Sequence, residues 1–387
     1  MNNAVLILIL ILFGSDYIVG QTKPTTRVDG SRQSNVLTAV PFLLITPHPK
    51  AGAMGNAGVA VEADANAAAV NSSSLAFLPE GTKGVSVSYS PWLRTIAPGM
   101  SLSYLGAYAR LDKRSTIATS LRYFDVGDVN FTDNNFGDLG LLSPSEFAFD
   151  VSYIRSFGPR FALGGTVRYI HSSLFSGQAA SGRSVEAGKA ISVDVSGIYK
   201  NNSYFLSLPA AFSIGLNLSN IGTKINYGIG RESYFLPANF RLGTAVALTG
   251  EDGVFTVALD INKLMVPTQP IYDQEGNIVK GRDPNRSVTS GIFSSFIDAP
   301  NGFSEELKEV GISTGIEYKF KDLIAFRTGY NYQNPQKGNN SYFTIGTGLK
   351  YQALTFDFAY LLASTSTSAL ANTLRFGLQV DLSRKVK

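Results

Sequence analysis

The sequence predicts an all-β protein, a transmembrane antiparallel β-barrel of about fourteen strands with a plug segment inside it. Three observations carry this reading. Apolar and polar residues alternate with period two over repeated segments of about 7–14 residues, as strands with unlike faces do. The segments come to an even number, which a closed antiparallel barrel needs. Connections after even-numbered strands are short and those after odd-numbered strands are long, the asymmetry of outer-membrane barrels with their short turns in the periplasm.

The strands begin near Gly84, Met100, Ser115, Phe147, Arg160, Lys189, Ala211, Ala238, Val254, Val310, Leu323, Ser341, Ala353 and Asn372, so the barrel is assigned to residues 84–387. Phe255, Val257, Leu259 and Ile261 alternate with Thr256, Ala258 and Asp260, and Leu354, Phe356, Phe358 and Tyr360 with Thr355, Asp357 and Ala359. Short turns are expected at Asp112–Arg114, Gly158–Pro159, Lys321–Asp322 and Tyr351–Gln352, with a longer one from Asn201 to Pro209. The 18 Tyr and 25 Phe, many near strand ends, suit the interfacial girdles of such a barrel better than a soluble β-sandwich.

Composition agrees with a membrane location. Of 387 residues, 44% are hydrophobic and 16% charged, a low charged fraction for a soluble protein. The long apolar run, residues 4–13, is too short to cross about 30 Å of hydrocarbon as a helix. Followed by Gly14, Ser15 and Asp16, it reads as a secretory signal peptide over residues 1–20, although its start lacks Lys or Arg. Export and cleavage near Gln21 are therefore expected, with residence in the outer membrane. The chain has no cysteine, which excludes disulfides and thiolate chemistry. A scattered net charge of +4 gives no footprint for nucleic acid.

The polar phase of the strands places Arg122, Arg168, Arg241, Lys319, Arg327 and Arg375 inside, with Asp150, Asp194, Asp260, Glu317, Asp357 and Asp381. Charge of both signs predicts ion pairs in a filled lumen, because an ion-selective constriction would use rings of one sign. Ahead of the first strand, residues 21–83 read as a periplasmic or plug segment. Within it "AGAMGNAGVAVEADANAAAVNSSSLAF", residues 51–77, is rich in small residues that let a chain pack closely on a wall, so residues 51–78 are expected to seal the lumen. Upstream, "AVPFLLITP" is too apolar to leave in water at roughly 25 cal/mol per Å².

The connection over residues 263–309 far exceeds the usual limit of about 12–15 residues, beyond which loops are functional or disordered. Its first half, "DQEGNIVKGRDPNRS", reads as a solvated hairpin. The second, "GIFSSFIDAPNGFSEELKE", shows no strand alternation. There Ser304 is expected to cap a short helix with Glu305 and Glu306 in its first turn, and Phe303 to staple onto Leu307 or Lys308. The apolar groups fit a docking patch in which Ile292, Phe293, Phe296, Ile297, Phe303 and Leu307 meet a partner. The alternative is a lid folded over the barrel mouth.

Catalysis finds no support in the residues. The two histidines are His48 and His171, and His171 shares the outward phase of Phe161, Leu163 and Tyr169, which makes it a belt residue. There is no G-x-S-x-G elbow and no metal-ligand spacing, so neither an enzyme, a metal nor a cofactor is expected.

"NVLTAVPFLLITP", "AGAMGNAGVAVEADANAA" and "SSLAF" before the first strand, together with "LMVPTQPIY", "DQEGNIVKGRDPN" and "GIFSSFIDAPNGFSEELKE", resemble the PorV family. These are FadL-like outer-membrane barrels of the Bacteroidetes type IX secretion system. The resemblance covers nearly the whole mature chain. It departs at Asn71–Ser72, where the family tends to have Asn-Pro, and in a basic tail, Arg384 to Lys387, after Leu382. It implies a non-enzymatic protein in contact with outer-membrane lipid. Such a protein would associate with the giant translocon barrel, collect cargo bearing C-terminal secretion domains and carry it to the surface attachment complex. Because fold does not settle function, a FadL-like transporter of fatty acids or other hydrophobic solutes is the alternative, and it requires a continuous apolar pocket in the lumen.

Overall fold

The computed structural model describes residues 36–92, 99–132, 138–174, 177–178, 184–228, 233–273, 275–338, 341–363 and 373–383, with the paired stretches Thr25–Thr26 and Arg32–Gln33 before them. The expected signal peptide and the basic tail lie outside the described residues. Fourteen strands follow one another: β1 Lys83–Pro91, β2 Ser101–Arg110, β3 Ser115–Asp125, β4 Ser145–Ser156, β5 Phe161–Ser173, β6 Gly188–Phe205 and β7 Leu208–Gly222 form the first half. The second half is β8 Asn239–Thr249, β9 Gly253–Leu264, β10 Gly311–Phe320, β11 Ile324–Tyr332, β12 Tyr342–Tyr351, β13 Leu354–Ala363 and β14 Thr373–Asp381. Each starts within three residues of the position that periodicity predicts. Neighbours pair antiparallel, and β14 closes on β1 with Phe376 opposite Tyr89 and Asp381 opposite Gly84.

Alternation decides which face is wet. On β9, Phe255, Val257 and Leu259 are exposed to the membrane side while Thr256, Ala258 and Asp260 are buried inward, the apolar-out, polar-in arrangement of a membrane barrel. Short turns gather on one rim. The expected longer connection at Asn201–Pro209 is corrected: β6 and β7 stay paired through Phe205 and Leu208. They are joined at Leu206 and Ser207, whose φ values of 50 and 65 suit a two-residue hairpin. The polarity of Asn201 to Ser203 marks a solvated ribbon rather than a loop. The other rim bears the long connections, among them hairpins pairing Val129–Thr132 with Asp138–Leu142 and Ile225–Asn226 with Ser233–Tyr234.

The described part of the N-terminal segment, from Val36 on, packs inside the barrel. It enters at the long-loop rim, where the Ala39 N–H donates to the Phe235 carbonyl at 2.9 Å. Val40, Phe42 and Leu43 then pack among Leu102, Phe124 and Ile170. Helix α1, Pro49–Ala53, lies against β11–β14, and the 3₁₀ turns Ala67–Ala69 and Ser72–Phe77 lie against β3–β6 near the short turns. The apolar start of the segment therefore occupies the apolar upper lumen. Wall glycines give it room: a Cβ at Gly215, Gly315 or Gly329 would run into the backbone of Val59, Met54 or Gly55. At the Asn71–Ser72 departure the turn forms without proline, because Asn71 Oδ1 accepts the Ser73 N–H at 3.1 Å and Nδ2 donates to Val59 O at 2.7 Å.

Candidate functional site

Two ion clusters cross-link the lumen wall. The Arg168 guanidinium donates from Nε to Asp150 Oδ1 at 2.7 Å, from Nη2 to Asp150 Oδ2 at 2.9 Å and from Nη1 to Asp194 Oδ1 at 3.1 Å. It also reaches Asn220 Oδ1 at 2.5 Å. Asn220 was not singled out by sequence reasoning. It lies at the register shift between β6 and β7 with φ 59, which turns its side chain inward; the available signal was an Asn, a residue tolerant of that backbone, within an otherwise regular strand. Arg327 bridges Glu317 and Asp357 at 2.6 Å each.

The remaining residues of the expected ion-pair set behave differently. Arg122 donates to the plug carbonyls of Leu43 and Ala69 at 3.1 and 3.3 Å, and Arg375 to Asn56 Oδ1 at 3.2 Å. Asp260 Oδ2 accepts the plug N–H groups of Gly58 and Val59 at 2.8 and 3.0 Å. Arg241 has no ion pair among the described residues. Phase in a strand shows that a charge faces inward but not what it meets. A buried charge needs hydrogen bonds, and here the backbone of the plug supplies them. The plug is also held from Lys50 to Glu317 at 3.6 Å, from Gly55 N–H to Thr344 Oγ1 at 2.8 Å and from Lys319 to Glu62 at 2.9 Å.

Neither histidine sits in catalytic surroundings. His48 Nε2 meets Asp64 Oδ2 at 2.7 Å inside the plug. Burial pushes the Asp64 carboxyl up, but His48 and Lys50 outweigh it and hold the group well below the usual range. His171 stacks on Phe147 at 5.1 Å on the membrane side.

At the mouth, the loop between β9 and β10 is ordered into a hairpin and two helices. Its first half contains a hairpin pairing Ile271–Tyr272 with Ile278–Lys280. The second half forms helix α2, Val288–Ser294, capped by Ser287 Oγ and not anticipated from the sequence, and the expected short helix, α3, Phe303–Lys308. Ser304 does not cap α3; Gly302, at φ 71, stands there. Nor does the Phe303 staple form, because α3 is inside out. Glu305 and Glu306 are buried at 6% and 5% exposure, while Phe303 and Leu307 stand at 75% and 57%.

The cause is a pair of lysines beneath the helix. Lys263, at the end of β9, meets Glu306 at 2.9 Å and Glu309 at 2.5 Å; Lys337, from the 3₁₀ turn Pro335–Lys337, meets Glu305 at 2.6 Å and Glu309 at 2.9 Å. Glu306 and Glu305 also accept the N–H groups of Ala299 and Asn301. Five ionic groups thus fix the helix with its apolar face outward.

The six expected docking residues divide in two. Phe293, Ile297, Phe303 and Leu307 are exposed at 57–75%, and Phe296 is partly so at 42%. Ile292 is half-buried against the Met265 and Val266 cluster with Leu218 and Phe240, and Phe296 sets its ring edge-on to Phe240 at 6.4 Å. Those two anchor the loop. Leu218 and Phe240 pair with each other and carry the outward phase of β7 and β8, so the loop drapes over the outside of the rim.

A closed fourteen-strand barrel that holds its own N-terminal segment, with an apolar-faced loop at its long-loop rim, defines an outer-membrane-type barrel. Residues 29–271 match the model of the family described as Type IX secretion system protein PorV, and the chain belongs to that family. No curated protein sequence matches the chain. Among solved structures it is similar to the Pseudomonas putida toluene transporter TodX, with 13% identity over 90% of this chain and 98% of that one and a TM-score of 0.48. It is also similar to a Pseudomonas aeruginosa FadL homologue, at 9% identity over 90% and 97% with a TM-score of 0.43. The Ralstonia pickettii toluene transporter TbuX gives 12% identity over 86% and 97% with a TM-score of 0.44.

Proposed function

We propose that the protein is a non-enzymatic docking component of type IX secretion, whose extracellular loop binds the giant translocon barrel. In this reading it also receives cargo bearing C-terminal secretion domains and hands it to the surface attachment complex. Family membership supports the secretion role. The observation that carries the docking step is the inverted helix α3, whose apolar face is held toward solvent by buried ion pairs. Burying Phe293, Ile297, Phe303 and Leu307 on a partner would contribute about 1.5–3 kcal/mol each, before association entropy is subtracted. The loop lies over the outer side of the rim at β7 and β8, which favours a partner in the same membrane plane.

Transport of a hydrophobic solute is the second reading; TodX and TbuX are toluene transporters. Against it stands the upper lumen, where Phe42 stacks on Phe124 at 6.1 Å among Leu102, Ile170 and Leu236. The chain's own side chains fill the space that such a solute would need. Affinity purification from outer membranes, comparing the intact protein with Phe293→Asp/Phe303→Asp, separates the readings. Recovery of a very large barrel with the intact form, lost in a folded variant, supports docking. Recovery of bound hydrophobic solute with both forms, and of no large partner with either, moves transport to the front.

A further inference from the structure

The short-turn rim carries its charge unevenly. On the β8–β13 side acids and bases are matched: Lys319 and Lys350 lie 3.5 and 2.5 Å from Asp322, and Lys321 lies 3.7 Å from Asp252. On the β2–β5 side, Arg110, Lys113, Arg114 and Arg155 line a cavity of about 770 Å³ between two turns and the end of the plug at Ala76 and Phe77. Among the described residues none of these four cations forms an ion pair. The acid nearest in the chain, Asp112, spends one oxygen on the N–H groups of Arg114 and Ser115 at 2.6 and 2.8 Å.

The surroundings of Arg155 point to the ligand. It follows Tyr153 in the outward phase of β4, and its Nη1 donates to the Tyr153 hydroxyl at 3.2 Å. Phe157 and Leu111 beside the cavity are exposed, and the Phe157 ring lies 6.1 Å from Phe161. These are girdle residues, at the height where lipid headgroups sit. A guanidinium facing outward there meets lipid phosphate. Basic pockets at a membrane surface bind anionic headgroups through this combination of charge and interfacial position; Arg110, whose guanidinium donates to the carbonyls of Leu78, Asp112 and Lys113, adds its positive charge to the cavity wall.

We propose that this cavity binds the phosphate headgroup of an anionic phospholipid in the periplasmic leaflet, with Arg155, Lys113 and Arg114 holding the phosphate and Phe157 and Leu111 against the acyl chains. The site is independent of the extracellular loop. Full-length protein in detergent, incubated with phosphatidylglycerol, phosphatidylcholine or inorganic phosphate, tests it by native mass spectrometry of retained ligand. The expected result is retention of phosphatidylglycerol over phosphatidylcholine, weakened about fivefold by each of Lys113→Gln and Arg155→Gln and kept by Arg155→Lys. Both positions are exposed, and unchanged heat-modifiable migration on gels checks that the barrel is folded. Equal retention of the two lipids, no loss in the Gln variants, or displacement by inorganic phosphate at equal concentration would overturn the lipid assignment. Preferential capture of an acidic periplasmic peptide would overturn it likewise.

Discussion

Arg168 touches two carboxylates and an amide, all inside the barrel, so its removal strands both acids. Arg168→Met is expected to destabilise the barrel by about 3–5 kcal/mol, the usual consequence of leaving a buried charge unpaired. Urea unfolding in detergent measures this, and adding Asp150→Asn with Asp194→Asn should recover much of the loss. A second residue-level effect concerns pH. Asp298 is buried and one of its oxygens has no partner, so burial pushes its carboxyl up to about 6 despite the Thr268 N–H. Its folded value is raised above the unfolded one, so its contribution is present at low pH and lost as pH rises through about 6. Burial also pushes Glu309 up, but Lys263 and Lys337 outweigh it and hold it below its ordinary 4.5, so its contribution is lost only as pH falls below that. The loop should therefore resist protease several-fold better at pH 5 than at pH 7.5, and Asp298→Asn should flatten the difference. The inward phase of these charges was legible in the sequence. Their partners were not, since periodicity assigns a face and leaves the neighbour open, as Arg122 and Arg168 show.

Helix α3 and the plug are the elements on which the proposed function depends, and each was half legible. "GFSEELKE" announced a helix, yet capping and staple rules assume that apolar residues turn inward. Lys263 and Lys337, distant in sequence, reversed that choice by meeting the glutamates. Lys337→Met should free α3 and raise loop proteolysis without unfolding the barrel. The small-residue texture of the plug was equally readable, but the wall glycines that receive it were not, because glycine in a strand also marks bulges and bends. Gly329→Val would drive a side chain into Met54 and Gly55. Planar-bilayer recordings should then show a conductance absent from the intact protein, and a variant as silent as wild type would mean that the plug yields without opening a path.

For the whole molecule, fourteen strands could be read from period two because one face meets lipid and the other a polar lumen. The direction of the plug could not, since an apolar segment reveals that it is buried without revealing at which end. The result is a barrel whose inward charges are taken up by one another and by its own N-terminal segment, with exposed apolar and basic groups at the two rims. The central claim is that the extracellular rim docks a partner in the membrane. A photo-crosslinking amino acid at Phe303, activated in native outer membranes beside a control at buried Phe42, tests it most directly. Crosslinking to one very large barrel protein from Phe303 and not from Phe42 is the predicted result. Crosslinks from Phe303 only to lipid or to the same chain, while secretion proceeds, would contradict it.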